Sequence, residues 1–100
     1  MFLKFLRKYS VLIEGENLLM DLQGVQRFGF FTTRYVAAAD VESASQRAIE
    51  LAREELLAEG CLLNDLGDNP TFTVSEILQV DSFNGLHVPG KGFTFYPMGS

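Results

Sequence analysis

The residues best suited to chemistry lie close together near the carboxyl end: Asp81, Ser82 and His87, on either side of Asn84-Gly85. A nucleophile, a base and an orienting acid are the parts of nucleophilic catalysis. A turn at Asn84-Gly85 would carry His87 towards Ser82. No oxyanion-stabilising group or nucleophile elbow accompanies them, so the trio reads as polar residues of a local hairpin. The overlapping run Gly85-Leu-His-Val-Pro-Gly90-Lys91-Gly92 follows the phosphate-loop pattern except at its last position, where Gly92 replaces the magnesium-binding Ser or Thr. A phosphate loop also needs a helix directly behind it to supply amide donors. Here Phe93-Thr-Phe-Tyr-Pro97 follows, which reads as a strand.

Cys61 is the only cysteine and His87 the only histidine, so neither a disulfide nor a four-ligand zinc site can be assembled. Cys61 follows a helix carboxyl end, where the dipole opposes a thiolate. The paired carboxylates Glu54-Glu55 and Asp65 with Asp68 fall on a helix surface and in a loop. No cofactor and no metal is expected, and the chain reads as a non-enzyme.

These residues are carried by 100 amino acids, of which 47% are hydrophobic and 21% charged, the profile of one globular domain spanning 1–100. Residues 1–8 and 97–100 are candidate frayed ends. Nine Phe and three Tyr supply the bulk for a core. No run of about twenty apolar residues offers a membrane helix. The start, Met1-Phe-Leu-Lys-Phe-Leu-Arg-Lys8, is too interrupted by cations for a secretory signal, so a cytoplasmic location is expected. The net charge is −5, with five cations against four anions in residues 1–40 and three against nine in 41–100. Lys4, Arg7 and Lys8 with Phe2, Phe5 and Tyr9 form the only basic cluster, too small for a phosphate-binding stripe. Nucleic acid is therefore not the expected partner.

The elements follow from periodicity. Tyr9, Val11 and Ile13 alternate on one face of a first strand, which Gly15 and Asn17 interrupt as a bulge or bend before Leu18-Leu-Met20. Asp21 to Gln26 reads as a loop. Arg27–Ala39 is a second strand with Phe28, Phe30, Thr32, Arg34 and Val36 on one side and Gly29, Phe31, Thr33 and Tyr35 on the other. Large apolar groups on both sides call for cover on both sides. Asp40 offers a helix N-cap and Gly60 a stop, and between them Val41, Ala44, Ala48, Ile49, Leu51, Ala52 and Leu56 form an apolar stripe. Thr71–Phe83 alternates again, with Phe72, Val74, Leu78 and Val80 on one face. There Glu76 falls into the apolar register and Ile77 out of it, which a bulge near Ser75-Glu76 would mend. Asn84-Gly85 signals a type I′ hairpin with a return strand over Leu86–Val88, and Phe93–Tyr96 makes a last short strand. The expected fold is α+β: an antiparallel sheet of three to four strands in the order β-β-α-β-β, with one amphipathic helix packed on one face.

The junction Val36-Ala-Ala-Ala-Asp40-Val-Glu-Ser-Ala44, running into an alanine-spaced helix, resembles the strand–helix junction of many small bacterial domains, HicB-type antitoxins among them. The resemblance covers about a third of the chain, lacks the family's proline-glycine segment, and carries over no functional residue.

The functional expectation rests on coverage. One helix covers one sheet face, and the open aromatic face calls for cover by the Phe2-Leu3-Phe5-Leu6 segment, by the Phe93–Tyr96 segment or by a second copy of the chain. The leading expectation is a small acidic interaction or regulatory protein acting as a homodimer, with an unidentified protein partner allowed and no membrane contact. Its candidate surface comprises Phe28, Phe30, Arg34, Tyr35 and Phe72 on the sheet, and Glu42, Glu50 and Glu54 on the helix. The alternative is binding of a small ligand or single-stranded nucleic acid on the aromatic face, with Phe28, Phe30, Tyr35 or Phe72 stacking and Arg34 or Arg27 pairing a charge.

Overall fold

The computed structural model describes residues 6–21, 24–60, 62–65, 67–90 and 92–98. Strands β1 (Arg7–Asp21) and β2 (Val25–Ala38) form a long hairpin, helix α1 (Val41–Glu59) follows, and β3 (Thr71–Val80) and β4 (Thr94–Pro97) complete the series. The strands make one antiparallel sheet in the order β3-β1-β2-β4, so the class and the element succession are those expected. A strand rises about 3.3 Å per residue. The 15-residue β1 thus spans nearly the whole longest dimension, 51 Å.

A bulge keeps β1 amphipathic along that length. Gly15 pairs with Phe30 but Leu18 with Phe28, so β1 holds one residue more than β2 across this stretch. Asn17 absorbs the extra step at φ +64°, a left-handed conformation that Asn tolerates better than most residues. The face that begins with Tyr9, Val11 and Ile13 continues as Leu18 and Met20, all buried. A second bulge skips Ser75 between the pairs Leu12–Glu76 and Ile13–Val74. It turns Ile77 towards the core and Glu76 outward, as expected, but it also turns Leu78 out of the face assigned to it.

Helix α1 has the boundaries its caps dictate. Asp40 is extended and its Oδ1 accepts from the Ser43 amide at 2.8 Å, while Gly60 takes the left-handed conformation at φ +70°. Ala44, Ala48, Ala52 and Leu56 are buried in one cluster with Tyr9, Val11, Ile13, Phe28, Phe30 and Val36 of the two central strands. Val41 stays exposed, at the edge of the stripe.

The remaining differences lie at the ends and in the connections: Arg7, Lys8 and Pro97, expected in frayed ends, are paired with Ala38, Ala37 and Phe28. β2 begins at Val25, so the loop before it is shorter than expected. β3 ends at Val80, not Phe83. The Leu86 amide donates to the Phe83 carbonyl at 3.0 Å around Asn84-Gly85, and Gly85 has φ +78°. Asn17 is the sole described non-glycine residue at positive φ, so this turn lacks the second positive φ of type I′. No return strand forms over 86–88. The segment instead runs to the outer edge of β2, where the Tyr35 amide donates to the Pro89 carbonyl at 2.8 Å.

Candidate interaction surface

The even-numbered side of β2 is the inner one. Phe28, Phe30 and Arg34 were expected on a contact surface, but all three are buried, Arg34 to 1% exposure. The reason is the register. Val36, Arg34, Thr32 and Phe30 stand opposite Tyr9, Val11, Ile13 and Gly15, so the inner face of β1 fixes the inner face of β2. Phe30 packs edge-on against Phe93 and Phe72, with centroids 5.0 and 5.6 Å apart. Phe93 and Phe95 pack against the core cluster from the C-terminal segment.

A buried guanidinium must find partners. Arg34 Nη2 lies 3.3 Å from Glu55 Oε2 on α1 and donates to the Gly92 carbonyl at 3.4 Å, and the guanidinium sits 5.2 Å from the Phe93 ring centre. Its Nε has no hydrogen-bond partner. Glu55 Oε2 also accepts from the Gly92 amide at 2.7 Å, and Thr32 Oγ1 donates to the Gly92 carbonyl at 2.7 Å. The group clamps the chain ahead of β4 between β2 and α1.

The odd-numbered side of β2 is more open. Tyr35 is half-buried against Phe83, with ring centroids 6.2 Å apart. Phe31 lies beside Tyr96 at 5.6 Å and keeps 38% exposure. Tyr96 covers Gly29 and donates to Glu14 Oε1 at 3.0 Å. Removal of water from its hydroxyl, reinforced by that hydrogen bond, raises the Tyr96 pKa. On the same side of the sheet, Leu12 is half-buried and Leu78 of β3 is 54% exposed. β3 is an edge of the sheet.

Phe72 is half-buried, with the Arg53 guanidinium 5.0 Å from its ring centre. Glu42, Glu50 and Glu54 are exposed on α1, and Arg47 lies 3.2 Å from Glu50 and 3.9 Å from Glu54. The expected contact surface therefore divides: three residues in the core, Tyr35 and Phe72 half-covered, and three solvated glutamates. Leu78 was missed because the Ser75 bulge reverses its face. Arg53 lies outside the apolar stripe of α1, but the row Ile49, Arg53, Leu57 at four-residue spacing marks it as a border position.

A polar network holds the loop after α1 to the β1 bulge. Asn17 Nδ2 donates to Asp68 Oδ1 at 3.0 Å, Arg27 Nη1 to Asn17 Oδ1 at 2.6 Å and to Asp68 Oδ2 at 3.1 Å. Asn64 donates to the carbonyls of Asn17 and Asp68 and accepts from the Leu19 amide. The Asn17 hydrogen bond, then Arg27, hold the Asp68 carboxyl below its usual range. Arg27, offered above as a ligand partner, is committed here.

No hydrogen bond joins Ser82 to His87 among the described residues; Ser82 Oγ accepts from the Asn84 amide at 3.4 Å. The phosphate-loop match runs into strand β4. Lys91 and Cys61 lie outside the described residues, as do Lys4, Phe2 and Phe5 of the basic cluster. Among the described residues no group of three or more His, Cys, Asp or Glu side chains could hold a metal ion, and no helix is long and apolar enough to cross a membrane. No protein-family model matches the chain, and neither a curated protein nor a solved structure does.

Proposed function

We propose that the chain is a small acidic interaction protein whose first partner is a second copy of itself, joined along the β3 edge. The observation that carries this is β3: a ten-residue edge strand, Thr-Phe-Thr-Val-Ser-Glu-Ile-Leu-Gln-Val, with an exposed leucine. Proteins blunt such edges with Lys, Pro or a bulge. β3 has no Lys and no Pro, and its one bulge, at Ser75, leaves Glu76–Val80 regular. An antiparallel pairing about a two-fold axis at Leu78 would set Leu78 against Leu78 of the second copy. Glu76 would then face Val80 of that copy, so the strand's one charge meets no like charge. Leu12 and Leu78, on one side of the sheet, would extend the contact beyond the backbone.

In this reading the helix covers the inner face and the chain's own C-terminal segment clothes part of the outer one, through Phe83 on Tyr35 and Tyr96 on Phe31. The interface accordingly moves from the middle of the sheet to its edge. In this reading the protein works through contact surfaces rather than catalysis, in the cytoplasm, with the helix glutamates left for solvent or for a basic partner protein. Stacking of a ligand or of single-stranded nucleic acid on the sheet has less support, because Phe28, Phe30 and Arg34 face the core.

Hydrogen exchange tests the proposal. The amides of Glu76–Val80 that face away from β1 should gain protection as protein concentration rises through the micromolar range, while those of Arg27–Phe31 stay unchanged. Exchange of those outward-facing β3 amides that is fast and independent of concentration contradicts it.

A further inference from the structure

We infer that the groove between the carboxyl-terminal half of α1 and β3 binds a small monocarboxylate with an apolar body. This inference does not depend on the proposed self-association. The groove has a volume of about 530 Å³, within the range of small-molecule sites. Leu56, Leu57, Leu62, Pro70 and Phe72 form its apolar lining. Leu57 is 61% exposed, an unusual cost for a leucine beside a groove that could be filled.

The charge of the occupant follows from Arg53. Its guanidinium rests over the Phe72 ring, and among the described residues no carboxylate or carbonyl engages any of its donors. The helix carboxylates near it are committed elsewhere, Glu50 and Glu54 near Arg47 and Glu55 to Arg34 and Gly92. A guanidinium held by a ring face still presents its N–H fork at the rim, the geometry that takes a carboxylate in two parallel hydrogen bonds. Asn64, also in the lining, is already saturated by Asn17, Leu19 and Asp68, so it contributes shape rather than recognition. Asp65 lines the same groove and repels any negative charge that Arg53 does not neutralise, so the occupant carries no more than one. One carboxylate on an aliphatic or aromatic body satisfies all of these features.

Calorimetric titration of the full chain with decanoate and with decanol tests the inference, because the two probes share a tail and differ in charge. Decanoate should bind one per chain, with decanol at least about tenfold weaker, the value of charge-assisted hydrogen bonds. Arg53→Gln should reduce decanoate to the affinity of decanol, and Arg53→Lys should keep part of the preference. Amide resonances of Leu57 and Leu62 should shift on titration. Absence of decanoate binding, equal binding of both probes, an unchanged preference in Arg53→Gln, or shifts confined to residues away from the groove would each overturn the inference.

Discussion

The ring of Phe30 occupies the space where a side chain on Gly15, its cross-strand partner, would stand. Neither residue makes sense alone. The bare Cα admits the Phe30 ring to the inner face, and the ring in turn carries Phe72 and Phe93. A Cβ at Gly15 would overlap the ring itself, so the ring, not a flexible chain end, has to move.

Gly15→Ala is therefore expected to destabilise the fold by roughly 1–3 kcal/mol, the usual cost of overpacking a filled core. Urea denaturation would measure it. The double variant Gly15→Ala/Phe30→Leu should recover part of the loss, since the smaller chain vacates the site. Equal stability of Gly15→Ala and the parent chain would mean that the ring lies elsewhere.

The buried Arg34 gives a sharper test. Removing the carboxylate by Glu55→Gln leaves the guanidinium buried with a weaker partner, at an expected cost of about 2–4 kcal/mol. That figure sits below the full cost of breaking a buried pair because Glu55 keeps 27% of its side chain exposed. Replacing both, as Arg34→Met/Glu55→Gln, should restore most of the stability, because an apolar chain in that place needs no partner. A double-mutant cycle by thermal or urea unfolding separates the pair from its surroundings.

Acid should loosen the loop after α1. The Asp68 pKa is lower in the folded chain than in the unfolded one, so the unfolded state binds the extra proton as pH falls. The stabilisation is complete above the unfolded value and is lost as pH falls through the folded value. Asp68→Asn should flatten that acid limb of the stability profile, as read by denaturant midpoints. An unchanged acid limb in Asp68→Asn would remove Asp68 from the network.

Much of this architecture was legible in the residues. The caps Asp40 and Gly60 bound the helix to the residue, because each satisfies backbone groups that only a few residue types can satisfy. Both bulges were visible as breaks in alternation at Gly15–Asn17 and Ser75-Glu76. What could not be read was which side of β2 faces inward. Phe28 and Phe30 against Phe31 and Tyr35 is a near tie in side-chain bulk, and it is broken only by the register with Tyr9, Val11 and Ile13. Arg34 deepened the ambiguity, since a cation in a strand ordinarily marks the wet side. Its partners Glu55 and Gly92 lie far along the chain and are invisible to local pattern. The C-terminal phenylalanines posed the same problem, and Phe93 and Phe95 joined the core rather than the outer face.

The most direct test of the proposed function is the mass in solution by sedimentation velocity across the micromolar range, for the parent chain and for Leu78→Asp. Self-association through the β3 edge requires a dimer of the parent that dissociates on dilution, and a folded monomer for Leu78→Asp at the same concentrations. A parent chain that sediments as a monomer throughout, or a Leu78→Asp variant that dimerises as tightly as the parent, contradicts it.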